Sequence, residues 1–94
     1  MSGAKLIAQE RQRQIREEHW SRRHDREHDE SELARAAACY ALPAEYRKKI
    51  SLMHLVWPGF WDFKPGPTRI RELVKAGALI AAEIDRLASE AETK

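Results

Sequence analysis

This chain has few of the residues that fix a small protein from outside its core. Of its 94 residues one is cysteine, four are glycine and four are proline. The single Cys39 makes no disulfide framework and fits a reducing compartment. Within an alanine-rich segment it reads as a small buried apolar residue, because a reactive thiol needs exposure and a nearby cation. No apolar run approaches the roughly 20 residues that a membrane-spanning helix needs. The segment Met1–Ala8 is too short and too polar for a secretory signal. Charge of one sign is also scarce: 17 basic residues face 15 acidic ones, a formal +2. That balance argues against attachment to nucleic acid by bulk charge. Internal repeats and long low-complexity tracts are missing too.

What remains is a chain with enough apolar residues to fold, 43% against 34% charged, which excludes wholesale disorder. Its length suits one domain, 1–94. A chain this short buries roughly 60–65% of its unfolded surface, so its core is thin. Self-association is a common remedy. The pattern predicts an all-α fold, a small helical bundle. Two long antiparallel helices, at about 29–42 and 69–90, are joined by an N-terminal helix and an aromatic loop. In order, 1–18 is the N-terminal helix, and 19–49 a polar turn, an alanine-rich helix and a short helix. Residues 50–68 form an aromatic Pro/Gly loop and 69–94 the C-terminal helix.

Ser2 can cap the first helix, whose interior holds strong helix formers. Its apolar stripe is thin: Leu6, Ile7 and Ile15, extended by Ala8 and Trp20. Only a narrow edge can be buried, and pairs such as Glu10–Gln14 and Arg13–Glu17 read as solvated i,i+4 neighbours. Asp29 can cap the second helix, with Glu32 completing a capping box; Ser31 is a rival cap. Pro43 stops that helix. Alanines 34 and 36–38 give it a flat surface.

Thr68 caps the last helix. There Ile70, Leu73, Gly77, Ile80, Ile84 and Leu87 follow an a/d-type spacing over almost three heptads, the clearest period in the chain. Residues 76–82 are apolar nearly all round, so burial on more than one side is expected. Mid-helix Gly77 costs about 1 kcal/mol relative to alanine. Close packing on the alanine surface would offset that. The seam can also serve a homodimer. Residues after about Ser89 are expected to fray.

Chemistry could sit in three places. The first is His24-Asp25-x-x-His28-Asp29. On a helix the two histidines share a face and can ligate a divalent metal, but no third ligand is dictated by spacing. The plainer alternative is that the aspartates cap and the histidines pair with them. The second is the stretch Trp57, Phe60, Trp61 and Phe63 with Lys64, Arg69 and Arg71. Aromatic faces stack on bases and cations hold phosphate, the latter helped by a helix N-terminus. The alternative is a core plug. The third is Glu83, beside the seam, which needs a partner such as Arg35, a histidine or Trp20 if it is buried; Lys75 raises the same question. Arg22, Arg23 and Arg26 can bind phosphate or neutralise nearby acids.

Several segments resemble a known group. IAQERQRQI (7–15), W-x3-HD-x2-H (20–28), ELARAAACYA (32–41), the WP…W loop (57–61) and LVKAGALIAAEIDRL (73–87) are similar to a widespread family of small phage and prophage proteins of undefined activity. His19 stands where that family commonly has glycine. The resemblance implies a phage or prophage origin and the cytoplasm of a bacterial host cell. More distantly, Arg13–Tyr40, with Ile15, Trp20, Asp25, Leu33 and Tyr40, resembles the ryanodine-receptor-type repeat. That likeness implies a helical module for nucleotide-like ligands such as adenine or ADP-ribose derivatives. A comparison with all-α nucleotide pyrophosphohydrolases matches Glu27-x-x-Glu30, but Glu83-x-Asp85 has the wrong spacing: roughly 200° separates the two on a helix.

These readings converge on a nucleotide-binding, non-enzymatic protein, one that sequesters a nucleotide immune signal. The expected ligand contacts are Trp20, Arg22, Arg23, His24, Asp25, His28, Asp29, Trp57, Trp61 and Arg69. No cofactor is expected beyond an optional divalent metal. The alternatives are a metal-dependent nucleotide pyrophosphohydrolase and a protein-binding inhibitor of a host complex. A homo-oligomer is compatible with each, and membrane insertion with none.

Overall fold

The computed structural model describes residues 2–17, 31–49, 56–58 and 64–93. Among the described residues the chain forms four helices and no strand: α1 (Gly3–Glu17), α2 (Glu32–Ala41), α3 (Ala44–Lys49) and α4 (Arg69–Thr93). The all-α bundle expected from the pattern is the fold. Among the described residues no helix is long and apolar enough to cross a membrane.

Local chemistry sets the helix starts. Ser2 Oγ accepts from Lys5 N at 3.2 Å, and Thr68 Oγ1 from Arg71 N at 3.1 Å. Each satisfies a first-turn donor that the helix cannot. The start of α2 differs from expectation. Its N-cap position is Ser31, not Asp29, and Ser31 makes no side-chain cap bond. Ser31 sits at φ 67°, a left-handed conformation through which a helix cannot extend. Glu32 therefore takes the first helical position, and the capping box does not form. Asp29 itself lies outside the described residues.

The core lies between α2 and α4. Leu33, Ala36, Ala37 and Tyr40 pack on Ala76, Leu79 and Ala82. The C-terminal end of α2 meets the N-terminal end of α4, where Arg69 donates to the carbonyls of Tyr40, Ala41 and Leu42. The two helices therefore run antiparallel. Leu42 leaves the helix in extended geometry ahead of Pro43. Small side chains on both surfaces let the backbones approach. Of the alanines, 36 and 37 face in, whereas Ala34, Ala38 and Ala41 face out.

The seam of α4 does not build this core. Val74, Ala76, Ala78, Leu79 and Ala82 are buried, while Ile70, Leu73, Ile80, Ile84 and Leu87 are exposed, Ile70 by 67%. Gly77 faces α1 rather than the alanines of α2: a Cβ built there would stand 2.4 Å from Ile7 Cδ1 and 2.7 Å from Ile7 Cγ1. The physical reason is size. The close α2–α4 approach accepts alanine and leaves the bulkier isoleucine and leucine row outside.

Helix α1 also inverts expectation. Its buried residues are Glu10, Arg11 and Gln14, and Leu6, Ile7 and Ile15 are only half-buried. Glu10 is bonded to Arg13 at 2.8 Å and to Arg71 of α4. Arg11 pairs with Asp85 of α4 at 3.2 Å. Pairing of this kind permits charges to be buried. The far end of α4 extends past the buried Ser89 to Thr93, with Arg86 bonded to Glu90 at 2.7 Å.

Candidate functional site

Of the ten expected ligand contacts, Trp20, Arg22, Arg23, His24, Asp25, His28, Asp29 and Trp61 lie outside the described residues. So do His19, Glu27, Glu30, His54, Phe60 and Phe63. Among the described residues no group of histidine, cysteine or acidic side chains could hold a metal. Trp57 and Arg69 are described, and both gather around α2.

Arg35 does the gathering. It lies one turn into α2, and its Nε donates to Val56 O at 2.9 Å and its Nη2 to Trp57 O at 3.5 Å. Trp57 is thereby held edge-on to Tyr40, with centroids 5.8 Å apart and planes 76° apart, a favourable quadrupolar arrangement. The Tyr40 hydroxyl donates to Lys64 O at 3.1 Å. Both described ends of the aromatic stretch therefore rest on α2. The ammonium of Lys75 lies 5.5 Å from the centre of the Tyr40 ring, a cation–π contact. Lys75 is thus satisfied by an aromatic face, a partner the sequence did not name.

Arg69 has a structural position. Its guanidinium caps the exposed carbonyls at the end of α2, which a cation does both by hydrogen bonding and by opposing the helix dipole. Beside it, Glu72 is a second hub that sequence reasoning missed. It accepts from Arg47 at 2.9 Å and from Gly66 N at 3.3 Å. Arg47 also donates to Cys39 O at 3.2 Å. Thus Glu72 ties α3 and the 64–68 connector to α4. Gly66 suits this closeness: a Cβ there would meet Glu72 Cγ at 3.0 Å, and the Glu72 side chain would have to give way.

Glu83 finds its partner within its own helix, Arg86 at 2.5 Å, rather than in Arg35, a histidine or Trp20. Asp85 holds Arg11. The two acids singled out for metal chemistry on α4 are both engaged by arginine. Cys39 is fully buried. Burial pushes its thiol up, against the lowering fields of Arg47 and Arg35, so it stays protonated and unreactive at neutral pH.

Among the described residues the arrangement offers one half-buried indole, Trp57, fixed on α2 by Arg35 and Tyr40. Comparison with family models, with curated proteins and with solved structures finds no match to this chain, so the likenesses drawn above rest on its motifs alone.

Proposed function

We propose that the chain is a small non-enzymatic protein that binds a nucleotide-type ligand between its His-Asp stretch and its aromatic stretch. One observation carries this reading. Arg35 bonds the carbonyls of Val56 and Trp57 from a position four residues after Ser31. The described start of the aromatic stretch is therefore anchored on α2, the helix into which the His-Asp stretch leads. In this reading, residues far apart in sequence, with complementary chemistry, converge on α2.

In this reading Trp20, Trp57 and Trp61 stack on the base, as aromatic faces do at about 1–3 kcal/mol per base. His24, Asp25, His28 and Asp29 contact ribose or phosphate. Arg22 and Arg23 hold phosphate ahead of Arg69, whose guanidinium already serves three carbonyls. Binding alone suffices for sequestration of a nucleotide signal in phage counter-defence, the role suggested by the family likeness.

Calorimetry with mononucleotides, dinucleotides and cyclic nucleotides tests the reading. Binding by at least one class, weakened tenfold or more by Trp57→Ala, is the expected result. No heat with any of them at high micromolar concentration sinks it. The pyrophosphohydrolase alternative predicts magnesium- or manganese-dependent release of pyrophosphate from nucleoside triphosphates. Silence across a metal titration removes that alternative.

A further inference from the structure

We infer that Lys75 is a phosphate-binding residue of the ligand site, and that the ligand is therefore a phosphorylated nucleoside rather than a free base or nucleoside. This rests on the nucleotide-binding reading of Trp57, and it assigns the cation that works beside that indole.

Lys75 differs from the other cations packed around α4. Arg11 is paired with Asp85, Arg47 with Glu72, Arg71 with Glu10, and Arg86 with Glu83 and Glu90. Arg69 lies 3.5 Å from Glu72 and serves three carbonyls. Glu10, Glu72, Glu83, Asp85 and Glu90 are all committed to arginine. Among the described residues Lys75 has neither a carboxylate nor a hydrogen-bond acceptor. What it has is the face of Tyr40, 5.5 Å from ammonium to ring centre.

That environment is incomplete. The contact is near the outer limit of about 6 Å at which a ring face attracts a cation. A ring face also leaves most of an ammonium's three N–H donors unfilled. Lys75 is half-buried, so those donors are partly withdrawn from water. An acceptor supplied there gains more than it would on a fully solvated lysine.

The neighbours of Lys75 name the acceptor. Tyr40 touches the cation and the indole at once, its ring centre lying 5.5 Å from the ammonium and 5.8 Å from the centre of Trp57. The cation and the indole are therefore no further apart than a base and the phosphates of one nucleotide. Tyr40 is buried and its hydroxyl is tied to Lys64 O at 3.1 Å, so this separation is preset. A compact lysine ammonium suits a phosphate, which it meets as a point charge.

Calorimetry on the full chain tests this with adenosine and guanosine, their 5′-monophosphates and 5′-diphosphates, and their cyclic mono- and dinucleotides. The wild type should bind at least one phosphorylated compound more tightly than its nucleoside. Lys75→Gln should weaken that compound roughly tenfold, as the loss of a hydrogen bond between charged groups does, and leave the nucleoside unchanged. Lys75→Arg, which keeps the charge, should retain most of the preference, and rising salt should erode it in the wild type more than in Lys75→Gln. Trp57→Ala should weaken nucleoside and nucleotide alike. A phosphate preference that survives Lys75→Gln, or equal binding of nucleoside and nucleotide by the wild type, overturns the inference and leaves the stacking role of Trp57 standing. Equal loss of both ligands in Lys75→Gln overturns it too, because Lys75 would then only brace Tyr40. Failure of every compound to bind overturns the inference together with the reading it rests on.

Discussion

Helix α4 is held by its two neighbours through opposite physics. Against α2 the contact is apolar and dense: Leu33, Ala36, Ala37 and Tyr40 meet Ala76, Leu79 and Ala82, all nearly out of solvent. Against α1 it is largely ionic: Glu10 to Arg71 and Arg11 to Asp85, with Ile7 packed on Gly77. The α1 contact is also imperfect, since the buried Gln14 Oε1 has no hydrogen-bond partner among the described residues. The first interface is largely indifferent to pH and salt. The second depends on both, because buried ion pairs regain in Coulomb energy only part of what desolvation costs them. The difference predicts a molecule whose α2–α4 unit sets global stability and whose α1 leaves first.

Leu79→Ala should have the largest effect. Leu79 is 2% exposed in the middle of the apolar contact, and truncation there costs about 3 kcal/mol through lost transfer energy and a residual cavity. Urea denaturation should show the whole loss in one cooperative transition. A loss below about 1 kcal/mol would mean that the α2–α4 contact is not the core. Glu10→Ala comes next, at about 2 kcal/mol. It strands the partners of a buried carboxylate, but Arg13 and Arg71 keep about a third of their side-chain surface and can regain water. Hydrogen exchange separates the two variants. Glu10→Ala should lower protection in α1 while leaving α2 and α4 near wild type. Equal loss in all three helices would erase the distinction.

Acid should reproduce the effect of Glu10→Ala without a mutation. Burial alone would raise the Glu10 carboxyl. Hydrogen bonds and charges from Arg13 and Arg71 outweigh it, and its pKa lies below the ordinary value. A depressed carboxylate stabilises the fold above its unfolded-state pKa of about 4.3. That contribution fades as pH falls through the lower folded value. Protection of α1 should therefore be level from pH 7 to 5 and decline below about 4, and Glu10→Gln should remove this contribution to the decline. An unchanged acid profile in Glu10→Gln would shift the cause to other carboxylates.

What the sequence made legible follows from the same contrast. Caps at Ser2 and Thr68 were readable because a cap needs only its own first turn. The antiparallel α2–α4 pair was readable because alanine-rich surfaces invite close approach. The inward side of α4 was not, because its helix carries two apolar rows. Periodicity marks the larger row, Ile70 to Leu87, while the alanine row is the one that permits contact. The role of α1 was hidden for a related reason. A thin apolar stripe implies peripheral packing, but Glu10 and Arg11 are buried through partners more than 60 residues away, which no local pattern announces. Arg35 and Glu72 were missed likewise, since Arg35 bonds distant backbone carbonyls and Glu72 a side chain 25 residues away and the amide of Gly66. Of the candidate site, Trp57 and Arg69 are placed. The His-Asp stretch lies outside the described residues.

The smallest effect tests whether α1 is seated by shape as well as charge. Gly77→Ala should gain about 1 kcal/mol from helix propensity alone. The new methyl would stand within 3 Å of Ile7 Cδ1 and Cγ1, and 3.3 Å from its Cγ2, so Ile7 must withdraw. Ile7 is half-buried and can turn aside, but doing so surrenders the apolar touch that α1 makes beside its ion pairs. The two terms should nearly cancel, leaving a change within about 0.5 kcal/mol. Combined with Ile7→Ala the clash is gone, and the full gain of about 1 kcal/mol should appear relative to Ile7→Ala alone. The coupling in this double-mutant cycle, positive and near 1 kcal/mol, is the quantity to measure by denaturant titration. The same gain in both backgrounds would mean that Ile7 does not press on Gly77, and that α1 is held by its charges only.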